Sequence, residues 1–212
     1  MFNYTELIDI SIPLGESTPV FPGDPTLSLS LDTQMAQGAA YNFSTVTMGV
    51  HTGTHVDAPW HFLDDGYKIN QVPLNALVGG AEVYDLTGLD RITASTLASL
   101  DIRRGARVLF KTDNSERWGQ TGEVASNYVA LTEDAAHLLI HRGVQTVGID
   151  YLSVDAPDRS DFPVHRALLK NQIAIIEGLN LRHVCAGEYF LVCLPLKFAD
   201  AEAAPARTIL LR

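Results

Sequence analysis

The chain has 212 residues, 46% hydrophobic and 19% charged, which is enough apolar material for one core in a single domain spanning 1–212. A formal charge of −10 argues against a nucleic-acid partner, because phosphate binding needs clustered lysine and arginine. The opening residues show no basic segment followed by an apolar stretch, and no apolar run reaches membrane-span length, so a cytoplasmic protein without a membrane partner is expected.

Strand-like alternation dominates the first half. Ile8, Ile10 and Ile12 alternate with Asp9 and Ser11, and Leu27, Leu29 and Leu31 alternate with Ser28, Ser30 and Asp32. Phe21-Pro-Gly-Asp-Pro25 punctuates them as a loop. Residues 43–51 read as a further strand, with Val46, Met48 and Val50 on one face and Thr45, Thr47 and His51 on the other. Short strands follow at about 81–86, 107–112, 145–150, 172–177, 188–194 and 207–211. Ile92 to Leu100 reads as a weak helix. A firmer one starts at Thr132 as N-cap, with Glu133 and Asp134 in its first turn, and stops at Gly143. Residues 163–170 form a third. Cys185 and Cys193 fit no CxxC pattern and are expected as reduced thiols. The pattern is that of a strand-rich α/β domain with a few covering helices.

The chemistry concentrates in His51-Thr-Gly-Thr-His55-Val-Asp57-Ala-Pro-Trp-His61. Imidazole and carboxylate are the ligands that zinc, manganese or iron takes. His51, His55, Asp57 and His61 share parity, so an extended chain would direct them to one side. Four extended residues span roughly 13 Å, far more than ligands of one ion tolerate, so the chain must curl between His51 and His55. Gly53 suits that bend, and Pro59 prevents a regular strand or helix from running through to His61. A bent metal-binding loop after a strand is the expectation. The segment is not the HExxH pattern of zinc proteases. Downstream, Glu177 ends an apolar strand face with Ile173 and Ile175, where a carboxylate needs a positive partner. A metal and Arg166 are both candidates for that partner. His165, near Asp155, Asp158 and Asp161, is ordinary on its own.

These residues resemble a known pattern. His51 to Phe62 is similar to the HxGTHxDxPxH signature of the cyclase-like metal hydrolases, a family that includes bacterial kynurenine formamidases and isatin hydrolases. The resemblance extends to Phe21-Pro-Gly-Asp24, Gly148-Ile-Asp150-Tyr-Leu-Ser-Val-Asp155, Ile176-Glu177-Gly178-Leu179 and Pro195-Leu-Lys-Phe. It implies a swivelling β/β/α fold with a barrel-like core, assembled as a homodimer.

It also implies one or two divalent ions, zinc foremost and manganese as the alternative. His51, His55 and Asp57 would hold the first ion. Asp57, His165 and Glu177 would hold the second, with Asp57 bridging. His61 would act as general acid/base. Hydroxide formed on the metal would then attack an amide carbonyl, most simply that of N-formylkynurenine or a similar N-formyl arylamine, releasing formate. Phe21 and Trp60 are candidates for gripping the aromatic ring, with Phe62 and Tyr67 nearby. The stretch Ala156 to Val164 departs from the formamidase pattern just before His165, which weakens N-formylkynurenine as the particular substrate. Ring opening of isatin or another cyclic amide is the competing reading. A non-catalytic metal-binding protein is the alternative of another class.

Overall fold

The computed structural model describes residues 4–119 and 127–212. Strand β1 (Leu7–Asp9) is followed by a hairpin of β2 (Ser28–Thr33) and β3 (Phe43–Thr47), then by the short β4 (His55–Asp57). A single helical turn, α1 (Leu74–Leu77), leads into β5 (Val78–Asp85), α2 (Ala94–Ala98) and β6 (Arg107–Lys111). The chain continues through α3 (Glu133–Arg142), β7 (Thr146–Ile149), α4 (Pro163–Lys170), β8 (Ala174–Glu177), β9 (Gly187–Pro195) and β10 (Ala203–Leu211).

Eight strands form one sheet in the order β1-β10-β4-β8-β7-β6-β5-β9, and a second pairing of β9 with β10 closes seven of them into a barrel-like ring. The strand-rich α/β class with covering helices is therefore as expected. The run β5-β6-β7-β8 is parallel, and every residue of β7 and β8 is buried. Parallel strands need cover on both faces, and their side chains alternate between two cores. Ile176 joins Val56, Leu109, Leu191 and Leu210 on one side of the sheet. Ile175 joins Phe110, Leu97 of α2, Leu139 of α3 and Leu168 of α4 on the other. Glu177 has the parity of Ile175, and His55 and Asp57 flank Val56, so these polar side chains lie on the face that α4 covers.

Several expectations need correction. The strand expected over 43–51 ends at Thr47, and Met48 to His51 peel away into a turn. The β2–β3 hairpin is a separate sheet with Leu29 at 54%, Leu31 at 47% and Val46 at 52% exposure, so its alternation marked strands but no buried face. His55 to Asp57, expected in a bent loop, is a strand held between β10 and β8. The Ile92–Leu100 helix shortens to α2, capped by the Thr93 hydroxyl accepting from the Thr96 amide. Thr132 does precede α3, but its hydroxyl donates to the Ile92 carbonyl and caps nothing. Gly143 closes α3 in the left-handed conformation, as expected. Both cysteines are free, and burial pushes the Cys193 thiol up to about 12. No described helix is long and apolar enough to cross a membrane.

The turn after β8 fixes the ligand strands to one another. Gly178 has φ +71°, and a Cβ there would lie 2.3 Å from the Gly53 carbonyl oxygen. The Thr54 hydroxyl donates to the Gly178 carbonyl at 2.6 Å and accepts from the Ile12 amide at 3.0 Å. Gly178→Ala combines a left-handed penalty with a backbone clash. It should lower unfolding free energy by about 2 kcal/mol or more, read as a lower urea midpoint; an unchanged midpoint contradicts the close packing.

Candidate metal centre

Register builds the centre. On β4 and β8, His55 stands directly opposite Glu177, and on β10 Ala203 stands opposite Asp57. The bend expected at Gly53 is present, with φ +77°, and brings His51 back beside the strand. Pro59 starts a single 3-10 turn, Pro59–His61, which returns His61 to the same place. Helix α4 supplies His165 from above.

The donor atoms converge on Asp57. Its Oδ1 lies 3.1 Å from His51 Nδ1 and 3.4 Å from His55 Nε2, and its Oδ2 lies 3.4 Å from His165 Nε2. Glu177 completes the cluster, with Oε2 3.4 Å from His55 Nε2 and Oε1 3.1 Å from His165 Nε2. Among the described residues, two sets have ligand atoms all within 4.8 Å of one another: His51, Asp57 and His61, and His55, Asp57 and Glu177. Asp57 belongs to both. The resemblance had paired His51 with His55 and left His61 outside; by position His61 stands with His51 and Asp57.

The second nitrogen of each imidazole shows which one is free. His55 Nδ1 sits 2.8 Å from the Gly53 carbonyl oxygen, which can only accept, so Nδ1 carries the proton. His165 Nδ1 sits 2.6 Å from Asp155 Oδ2 and is protonated for the same reason. In its neutral form each ring turns a lone pair on Nε2 toward the carboxylate oxygens. Among the described residues, His51 Nε2, His55 Nε2 and both oxygens of Asp57 are buried without a hydrogen-bond partner. A buried cluster of carboxylates and imidazoles calls for positive charge, which a bound cation or ring protons can supply. Donors about 2.1 Å from a tetrahedral ion lie roughly 3.4 Å apart, which is the spacing found. The donor set of imidazole and carboxylate fits a divalent ion of the zinc or manganese type.

The same carboxylates also draw protons to this point. Burial depresses His55, yet Asp57 and Glu177 outweigh it and raise its pKa to about 10. His165 is likewise raised, with Glu177 the first of the groups that overcome burial. Burial opposes ionisation of Asp57, but His165 and His51 hold it well below the usual carboxylate range. His61 differs: burial dominates and lowers it to about 4, leaving it neutral at pH 7.

Aromatic rings wall the centre. The Phe62 ring lies 4.2 Å from His61, 4.9 Å from His165 and 5.2 Å from Phe162, and Phe21 lies 6.2 Å from Phe162. Of the two residues expected to grip a ring, Phe21 joins this wall. Trp60 instead holds the Lys68 ammonium 4.5 Å from its ring centroid. Arg166 does not meet Glu177; its guanidinium donates to the Phe62 and Asp161 carbonyls. Two contributors escaped sequence reasoning: Phe162 carried no signal, and Asp155 was noted only as a neighbour. Phe62, expected near the ring-gripping residues, faces His61 and His165 and also packs against the apolar core under the helices. Asp155 lies eight residues before α4, too far upstream for a local capping signal to reveal it.

Comparison with known proteins follows from this geometry. The Cyclase family profile, described as "Putative cyclase", matches residues 8–156. A kynurenine formamidase of Bacillus cereus (strain ATCC 14579) is 34% identical over 206 residues, 97% of each chain. The chain belongs to the cyclase family. A solved structure described as a predicted metal-dependent hydrolase from Bacillus stearothermophilus is 37% identical at a TM-score of 0.84, covering 97% of this chain and 98% of its own. Isatin hydrolase A from Labrenzia aggregata, solved with benzyl benzoate bound, shares the cyclase fold at 24% identity and a TM-score of 0.85, covering 97% of this chain and 93% of its own.

In this cyclase-family centre Asp155 has two duties. Its carboxylate accepts from the Val164 and His165 amides, capping α4, and also holds His165 Nδ1. Asp155→Ala should weaken divalent-metal affinity 10- to 100-fold by freeing the His165 ring, measured by chelator competition. Unchanged affinity contradicts a role for His165 in holding metal.

Proposed function

We propose that the protein is a divalent-metal-dependent hydrolase of carbon–nitrogen amide bonds that releases formate from N-formyl arylamines, with N-formylkynurenine the first substrate to test. The observation that carries the reading is the buried, unpartnered Asp57 carboxylate ringed by His51, His55 and His165. Similarity to the Bacillus cereus kynurenine formamidase across the chain supports the formyl substrate. A metal bound by His51, His55, Asp57, His165 and Glu177 supplies Lewis acidity toward a carbonyl and eases ionisation of water. Zinc is the first choice, and manganese suits the same donors. A homodimer belongs to the same proposal, supported by the half-exposed apolar side chains of the β2–β3 hairpin.

The chain's own residues supply the rest. His61, neutral at pH 7, stands within 4.2 Å ring-to-ring of His51 and accepts the proton of the attacking water. The protonated imidazole then delivers that proton to the nitrogen of the leaving arylamine. The carbon–nitrogen bond breaks as the amine is protonated, giving formate and the free arylamine. Phe21 and Phe62 offer flat apolar faces beside the reacting carbonyl and exclude water from it.

Purified enzyme supplied with zinc or manganese should release formate from N-formylkynurenine or N-formylaniline. No formate from either at micromolar enzyme sinks the formamidase reading, and opening of isatin under the same conditions would favour the cyclic-amide one. His61→Ala should lower kcat about 10²- to 10⁴-fold with metal content unchanged. A variant that keeps full rate removes His61 from the chemistry.

A further inference from the structure

Phe162 holds a conformation that nothing in its local sequence explains. The described non-glycine residues with positive φ are Phe162 and Gln172. Gln172 lies just beyond the end of α4, where left-handed backbone is ordinary. Phe162 instead occupies the N-cap of α4 at φ 50°, ψ 54°. That position ordinarily takes extended backbone and a Ser, Thr, Asp or Asn side chain. Phe162 makes no capping bond, because Asp155 already accepts from the Val164 and His165 amides. Glycine or asparagine would take the left-handed backbone with less strain.

Core packing does not account for the ring either. Phe162 is half-buried and belongs to none of the three buried apolar clusters. Its ring contacts are all with the wall of the centre: Phe62 at 5.2 Å, His165 edge-on at 6.1 Å and Phe21 at 6.2 Å. Backbone strain held at a functional site marks a side chain kept for what it touches.

We propose that Phe162 is a specificity-determining residue that closes an aromatic slot with Phe62 and Phe21 beside His61 and His165, selecting amides whose nitrogen carries a planar aryl ring. This rests on the aryl-amide reading above. The Phe162 ring meets Phe62 at 5.2 Å with an interplanar angle of 42°, and the Arg166 guanidinium lies 5.2 Å from the Phe62 ring centroid. On this proposal a substrate aryl ring packs on the edge of that pair while its amide faces the metal ligands. An alkyl formamide has no such face to offer and gains little from the slot.

Phe162→Asn, which tolerates the backbone, and Phe162→Tyr, which keeps the ring, test this against wild type. Three readouts apply: KM and kcat for N-formylaniline and for N-butylformamide, calorimetric binding of acetanilide, whose nitrogen carries the ring, and the unfolding midpoint. Phe162→Asn should keep or raise the midpoint and keep metal content. It should raise KM for N-formylaniline and weaken acetanilide about tenfold, with kcat and N-butylformamide kinetics little changed. Phe162→Tyr should restore acetanilide affinity. Equal losses on both formamides, unchanged acetanilide affinity in the Asn variant, or no acetanilide binding by wild type overturns the proposal. If wild type hydrolyses neither formamide, the hydrolase reading fails, while acetanilide affinity still decides the role of Phe162.

Discussion

The structure depends on one carboxylate. Asp57 is fully buried, and among the described residues neither of its oxygens has a hydrogen-bond partner, yet three imidazoles crowd within 3.4 Å of it. Such a group is costly in a folded interior unless positive charge meets it, and removing that charge is more costly still. The rest of the architecture serves to place it. Closure of the ring through β9 and β10 puts β4 between β10 and β8, where His55 faces Glu177 directly. The bend at Gly53 and the Pro59 turn then fold His51 and His61 back on the same point.

The ligands are held from behind as well as in front. The Gly53 carbonyl fixes the tautomer of His55, and Asp155 fixes that of His165 while capping the helix that carries it. Each anchor reuses a group needed elsewhere in the fold, which ties the order of the centre to the order of α4 and the Gly53 turn. Gly178 ties the Gly53 turn to β8, since its missing Cβ is what lets the β8 turn pack on the Gly53 backbone. The His61 ring has no such anchor among the described residues, and burial lowers its pKa, which leaves it unprotonated at neutral pH.

Much of this was legible in the sequence, for physical reasons that differ by residue. The parity of His55 and Asp57, the need for a curl and the choice of Gly53 followed from strand geometry alone, and the structure has all three. Glu177 betrayed itself as a carboxylate on an apolar face. That His55 to Asp57 would be a strand was missed, because three residues are too few to show a period. The β2–β3 hairpin misled in the opposite direction: alternation reports strand geometry, whereas burial depends on what the rest of the chain lays over it. Asp155 and Phe162 act across space, one capping a helix from eight residues upstream and one through a left-handed backbone. Neither property is written in local composition. Ring closure and the role of His165 came from the family resemblance, since pairing of distant elements leaves no local trace.

The central claim is that the cluster around Asp57 exists to hold a divalent cation. Titration of zinc into chelator-stripped protein by calorimetry tests it most directly. Binding of one or two ions per chain, lost when Asp57→Ala removes the shared carboxylate, is the result expected. Absence of binding heat in wild type, or the same stoichiometry and affinity in the variant, would contradict it.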